Sequence, residues 1–273
     1  FGLKSNSRTH NQDCLDFVDF VIKTGKEQNC ETCVFLGDWH NNRASLQIGT
    51  LNYSVQAIDK LSAAFDQIIF IPGNHDEHYR DTREMNSVVW AKKYENVRLF
   101  DEITTVDDVC ITPWLVGDEH KQIKKVEAKY MFGHFELPSF YMNAMVQMPD
   151  VGDLRRDDLK CENVFTGHFH KRQTSKNITY IGNAFPHNYA DVGDDDRGCM
   201  VLDWGKDPVY IPWPDAPKYR KFRLSEILED TDRLLLSNMY CRVEIDVDIS
   251  YEEATFIKEQ FIPQYNLREL SLI

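Results

Sequence analysis

Four times in this chain a short apolar run stops at a glycine, and each time a residue able to ligate a metal follows directly. The segments are Gly37-Asp38-Trp39-His40-Asn41-Asn42, Gly73-Asn74-His75-Asp76, Gly133-His134 and Gly167-His168-Phe169-His170. The preceding runs, such as 32–36 and 68–71, are too short for helices. They are rich in β-branched and aromatic residues, so they read as strands. Glycine lets the backbone turn sharply as it leaves a strand and lets it approach a ligand closely. Loops at strand ends are where α/β folds place their sites. One Gly-His carries no weight, but four such motifs in this order point to a site rather than to structural histidines.

The rest of the pattern agrees with an α/β fold. Leu15, Val18 and Ile22 fall on one helical face, with Phe17 and Val21 beside them, and Leu51, Val55, Ile58, Leu61 and Phe65 repeat that spacing. Helix, strand, helix, strand is therefore the order of the first 71 residues. After residue 95 strands crowd together, at 97–100, 109–112, 130–132, 164–166, 178–181, 200–203 and 209–211, with further helices expected near 82–94 and 118–128. Two sheets flanked by helices, an αββα sandwich, fit this order better than one doubly wound sheet. Pro212-Trp213-Pro214-Asp215-Ala216-Pro217 cannot continue a helix or a central strand, which predicts a boundary between residues 1–217 and 218–273. Beyond it, a strand at 241–247, a helix at 251–260 and a strand at 267–272 read as the start of a small α/β module.

Composition narrows the function classes. The 273 residues carry 31 basic and 44 acidic side chains, a net charge of −13, so the chain does not coat nucleic acid through overall charge. A local basic patch or metals could still bind it. No apolar run reaches the ~18–20 residues of a membrane span, and 1–10 has no apolar signal core. The seven cysteines are irregularly spaced, with one C-x-x-C pair at Cys30 and Cys33. They read as free thiols in a reducing cytoplasm. The acidic run from Asp191 to Asp196 reads as a solvated loop. The chain opens on Phe1 rather than Met, which predicts a trimmed N-terminus.

Asp, Asn and His without Cys suit borderline divalent ions such as manganese, iron or zinc. Two such ions about 3.5–4 Å apart form the usual clamp for phosphoester hydrolysis. A carboxylate can bridge them, and Asp38 is the natural bridge. The ions make hydroxide available near neutral pH and neutralise phosphate charge during in-line attack.

In motif type and order, residues 1 to about 215 resemble the calcineurin-like metallophosphoesterase family. The resemblance implies a two-sheet sandwich with a dinuclear metal site at one end. It makes Asp38 the bridging ligand, gives Asn74, His134 and His168 to one metal, and gives His170 to the other. His75 is similar to the family's catalytic histidine, with Asp76 as the partner that orients it. His40 or Asn41 would fill a further position that supports the histidine or contacts phosphate. The family's opening Asp-x-His motif has no counterpart here, which implies either residues upstream of Phe1 or a scaffold that has lost catalysis.

Within the family, Gly73 through Tyr79, Gly133-His134-Phe135-Glu136-Leu137, Tyr180-Ile181-Gly182-Asn183 and Asp196-Arg197-Gly198 look like the double-strand-break repair nucleases of the SbcD and phage recombination type. That likeness implies a manganese-dependent DNA exo- or endonuclease that works in the cytoplasm with an SMC-like ATPase of the SbcC type. It also implies a homodimer and a DNA-capping module beginning at 218. Lys218, Arg220, Lys221 and Arg223 then become candidate phosphate contacts, against the plainer reading of a solvated charged strand. Lys121, Lys124 and Lys125 read as an exposed helix face. Trp39 could stack on a base or simply pack. Other phosphoesters remain rival substrates.

Overall fold

The computed structural model describes residues 1–5 and 7–273. Helix α1 (Arg8–Glu27), β1 (Thr32–Phe35), α2 (Ile48–Ala64), β2 (Gln67–Phe70) and β3 (Val97–Leu99) build a first, wholly parallel sheet in the order β1-β2-β3. The chain then forms β4 (Thr104–Val106), β5 (Val109–Ile111), the short α3 (Glu119–Ile123), β6 (Tyr130–His134), β7 (Asn163–Gly167), β8 (Gln173–Ser175) and β9 (Ile178–Tyr180). These strands make a second sheet in the order β4-β5-β6-β7-β9-β8, parallel at its centre and antiparallel at both edges.

Alternation along the strands assigns the layers. Cys33, Phe35, Ile68 and Phe70 pack towards α1 and α2, while Val34, Leu36, Ile69 and Ile71 turn the other way, onto Ile111, Tyr130, Phe132 and Phe165 of the second sheet. Met131 and Val164 occupy that sheet's outer face with Cys110, Phe140 and Leu159. Each central strand is apolar on both faces because both faces are buried. The two-sheet α/β sandwich expected from the sequence is thus observed. Its outer cover is unequal, with two long helices on one side and α3 with the 135–161 loops on the other.

Two expected helices shrink. Of 82–94 only a 3-10 turn at Val89–Lys93 forms, because loop contacts claim the neighbouring donors. His78 N–H bonds to Met85 O, Ser87 N–H to Asp76 O, and the Asn86 side chain accepts from Val88 N–H. Of 118–128 only α3 is α-helical, after which Lys125 and Val126 bond back three residues instead of four.

Strands β10 (Gly198–Val201) and β11 (Val209–Pro212) pair as a hairpin. Then β12 (Lys218–Arg223), α4 (Leu224–Glu229), α5 (Thr231–Leu234), β13 (Met239–Glu244), α6 (Tyr251–Gln264) and β14 (Glu269–Leu272) form a parallel sheet in the order β12-β13-β14. It has its own apolar cluster, with Leu224, Ile227, Cys241, Val243 and Leu270 at its centre. The proline-rich segment before it is no loose linker, since Trp213 and Ala216 are buried in the first cluster. Asp13 of α1 ties the two parts together, accepting from Tyr240 Oη at 2.8 Å and pairing with Arg268 at 2.8 Å.

Candidate metal centre

The loops leaving β1, β2, β6 and β7 meet at one edge of the sandwich. His134 closes β6 opposite Gly167 of β7. Its Nδ1 lies 2.7 Å from the Leu36 carbonyl, which can only accept, so Nδ1 carries a proton and Nε2 is the nitrogen turned towards the other ligands. That Nε2 is 3.1 Å from Asn74 Oδ1, 3.3 Å from His168 Nδ1 and 3.4 Å from Asp38 Oδ2. His168 Nδ1 is also 2.9 Å from Asn74 Oδ1. Asp38, His134 and His168 offer ligand atoms that all lie within 4.8 Å of one another. A carboxylate oxygen, an amide oxygen and two imidazole nitrogens facing one gap fit a divalent cation, and a set without thiolate suits manganese, iron or zinc.

The glycines before these ligands are required by close approach. Gly37 has φ +95°, and a Cβ there would lie 2.3 Å from His134 Nδ1. A Cβ on Gly167 would lie 2.1 Å from Leu36 O. The ligands are themselves held in left-handed backbone, Asp38 at φ +58° and His168 at φ +86°, a strained state that side-chain-bearing residues keep only when their surroundings enforce it.

Electrostatics prepares the same atoms. Burial opposes ionisation of Asp38, but the facing His134 and the His75 N–H override it and hold the carboxyl well below the usual range. Burial likewise disfavours charge on His134, and the Asp38 carboxylate reverses this, raising its pKa. His168, buried and next to His134, is pushed down to about 3 and presents a neutral imidazole.

His75 stands at the rim, partly exposed. Its backbone N–H donates to Asp38 Oδ1 at 2.9 Å, and its Nδ1 donates to the Asn41 carbonyl at 2.7 Å, leaving Nε2 for chemistry. Asp76 does not orient it, contrary to the expectation from the sequence. The Asp76 carboxylate is buried and accepts the backbone N–H groups of Gly73 (2.9 Å), Trp39 (3.1 Å) and His40 (3.0 Å), which staples the β1 and β2 exit loops together. Burial, then the Asp38 charge, pushes its pKa up to about 6. Asn41, the rival to His40, makes the contact that holds His75.

His40 is corrected as well. It is fully buried, with Nδ1 2.8 Å from Ser87 Oγ and Nε2 3.0 Å from Ser54 Oγ, so neither ring nitrogen faces the cage. Trp39 packs rather than stacks on a ligand: it is 1% exposed, its indole N–H donates to Ser54 Oγ, and Phe35 and Phe70 surround it.

His170 lies outside the four-atom cage. Its Nδ1 is 3.7 Å from Asp191 Oδ2, and its ring centroid is 5.6 Å from that of His187. The acidic run is therefore not a plain solvated loop. Asp191 is wholly buried and accepts the His187 N–H at 2.9 Å, Asp194 pairs with Arg197, Asp195 with Arg220 and Asp196 with Arg172. The sequence reading missed Asp191 and His187 because a buried carboxylate at the head of an acidic run looks like its exposed neighbours. It also missed Trp114, whose ring centroid lies 5.1 Å from that of His168.

The four basic candidates do not form one patch. They sit on strand β12, where Lys218 and Arg220 face one way and Lys221 and Arg223 the other. The Arg220 guanidinium is forked onto Asp195, whereas Lys221 and Arg223 are exposed. Lys121 and Lys124 make surface pairs with Asp118 and Asp158.

Comparison with known proteins decides the family, since the calcineurin-like phosphoesterase family matches residues 9–172, a span that holds all four strand-end motifs. The chain belongs to that family. Calcineurin-like phosphoesterases hold divalent metal, and the Asp38-Asn74-His134-His168 cage is where this member's geometry suits one. The chain is also 29% identical over 212 residues to exonuclease subunit 1 of Enterobacteria phage T4, an alignment covering 74% of this chain and 61% of that relative.

Proposed function

We propose that this calcineurin-like phosphoesterase is a manganese-dependent DNA nuclease acting at double-strand ends. The observation that carries the reading is a compact N/O cage with an unengaged His75 Nε2 beside it, in a chain similar to a phage exonuclease subunit. Asn74, His134, His168 and Asp38 Oδ2 would hold one ion, and His170 with Asp38 would contribute to a second. Asp38 Oδ1 accepts the His75 backbone N–H, and the Asp38 carboxylate is the group that would be shared between the two ions. Bound ions supply an activated water and neutralise phosphate charge. The protein's own part is positional. The Asn41 carbonyl fixes the His75 ring. His75 Nε2 would pass a proton to the leaving sugar oxygen as its bond to phosphorus breaks, while the attacking water joins phosphorus and gives up one proton to solvent.

In this reading residues 1–217 form the nuclease domain and 218–273 begin a capping module whose exposed Lys221 and Arg223 touch the DNA backbone. The enzyme works in the cytoplasm as a homodimer with an SMC-like ATPase of the SbcC type, in recombination and repair. The test is degradation of linear duplex DNA with manganese beside a chelated control, repeated with His75→Ala, which keeps metal and loses most turnover. Metal-loaded protein that ignores DNA but hydrolyses another phosphoester would replace the substrate. Protein that takes up no metal would make the chain a scaffold.

A further inference from the structure

The Trp114 side chain is the one tryptophan at the metal centre, and the core does not use it. Its indole is absent from all four apolar clusters, although the neighbouring Leu115 packs in the second. It is only partly buried, and its ring packs beside two of the cage ligands, at 5.1 Å and 38° from His168 and 6.0 Å from His134 between centroids. Trp39 and Trp90 direct their indole N–H groups to Ser54 Oγ and the Ser87 carbonyl. Among the described residues the Trp114 indole N–H has no such acceptor.

The backbone that carries this ring is unusually well fixed for a loop. Trp114 N–H donates to Pro72 O at 3.1 Å, one residue before the Gly73 motif. Its carbonyl accepts twice from Arg83, from Nε at 3.2 Å and Nη2 at 2.9 Å. Arg83 is in turn forked onto Glu119, both being mostly buried, and Glu119 also accepts the Val116 N–H at 2.9 Å. A buried arginine–carboxylate fork holding one carbonyl does little for an exposed turn. It does fix the backbone from which the ring meets His168 and His134. Such a preformed flat surface, apolar on its face and with a donor at its edge, takes a planar heteroaromatic ring at little ordering cost.

We infer that Trp114 is the stacking platform for an unpaired nucleobase adjoining the phosphate at the cage, so that it sets a preference for frayed or single-stranded ends. The inference rests on the nuclease reading above. Base–aromatic stacking tolerates any base and is strong enough to govern strand affinity. It leaves the chemistry at phosphorus untouched.

The test compares the wild type, Trp114→Leu and Trp114→Phe, using the full chain with manganese. The substrates are single-stranded oligonucleotides with either a normal base or an abasic sugar beside the cleaved phosphate. Trp114→Leu is expected to raise KM about tenfold on the base-bearing strand with kcat nearly unchanged. Trp114→Phe restores most of that affinity. On the abasic strand the wild type and Trp114→Leu converge. Anisotropy of a labelled strand without metal reports the same loss of binding, independent of turnover. Equal KM for wild type and Trp114→Leu on the base-bearing strand overturns the platform. A fall in kcat alone, equal on both strands, overturns it in favour of ring packing that merely holds His168. Wild-type protein that hydrolyses bis(p-nitrophenyl) phosphate yet neither cleaves nor binds any strand overturns the nuclease reading and the platform with it.

Discussion

The two sides of the candidate centre are built to different standards. On one side Asn74 Oδ1, His168 Nδ1 and Asp38 Oδ2 all lie within about 3.5 Å of the fourth ligand atom, His134 Nε2. His134 ends β6 and His168 follows β7 directly, while Asp38 and Asn74 sit in the exit loops of β1 and β2, which the Leu36 carbonyl and the Asp76 carboxylate lock in place. On the other side His170 is about one-third exposed and reaches Asp191 only at 3.7 Å. Behind it Asp191 Oδ1, His187 Nε2 and His10 Nδ1 are buried polar atoms without a hydrogen-bond partner among the described residues. The first side has ready geometry because ladder hydrogen bonds fix the backbone at His134 and the Asp76 carboxylate binds the N–H groups of the two exit loops. The His170 side hangs from loops, and its order depends on what fills it.

The sharpest break of this comparison is His134→Ala. It removes the donor that contacts all three other cage atoms, so metal uptake measured by calorimetry should vanish from the tight side. Hydrolysis should fall by more than roughly 10²-fold, since even the partners behind metal ligands cost 10–100-fold when lost. Unchanged stoichiometry of bound metal would move the centre elsewhere.

Acid should act on the tight side through its scaffold. Burial pushes His40 down to about 4 from an ordinary value near 6.5. The folded protein therefore keeps it neutral while the unfolded chain takes up a proton. Stability from this group is complete above pH 6.5 and falls as pH drops towards 4, by about 3 kcal/mol at pH 4. Denaturant melts at pH 7 and pH 4 measure it, and His40→Gln should flatten the slope.

The tight side was also the legible one. Gly37, Gly73, Gly133 and Gly167 announce close backbone approach, and a ligand after each is a local pattern that needs no tertiary knowledge. The same locality explains the layers, because two-sided burial leaves continuous apolar runs. What failed was non-local. Whether Asp76 faces His75 or three backbone N–H groups depends on where the Trp39 loop lies, 37 residues earlier. His40 and Asp191 have the composition of site or solvent residues, and only packing reveals one as buried scaffold and the other as a carboxylate behind His170. Alternation along β12 splits a basic cluster that looks continuous in sequence.

Asp191→Asn probes the loose side. It keeps the shape and the acceptor for His187 N–H but removes the charge facing His170. Affinity for a second metal equivalent should drop about tenfold, as expected for the partner of a ligating histidine, while the first equivalent is unaffected. Titration of Mn2+ followed by electron paramagnetic resonance separates the two. Loss of both equivalents would mean the sides are not independent.

The smallest effect is expected at Arg220, and it sharpens the contrast by what it leaves alone. Arg220 joins strand β12 to Asp195 in the same acidic loop that carries Asp191, with 24% and 33% of the two side chains exposed. A partly exposed pair of this kind is worth less than about 1 kcal/mol, so Arg220→Gln should barely move the denaturation midpoint. Its guanidinium is already forked onto a carboxylate, so it releases few counterions on binding DNA. The slope of log affinity against log salt should therefore stay the same in Arg220→Gln. Lys221→Gln or Arg223→Gln should each reduce that slope by about 0.9. A full unit lost at Arg220 instead would mean that DNA displaces Asp195, and the loop behind His170 would then be coupled to DNA in the cap.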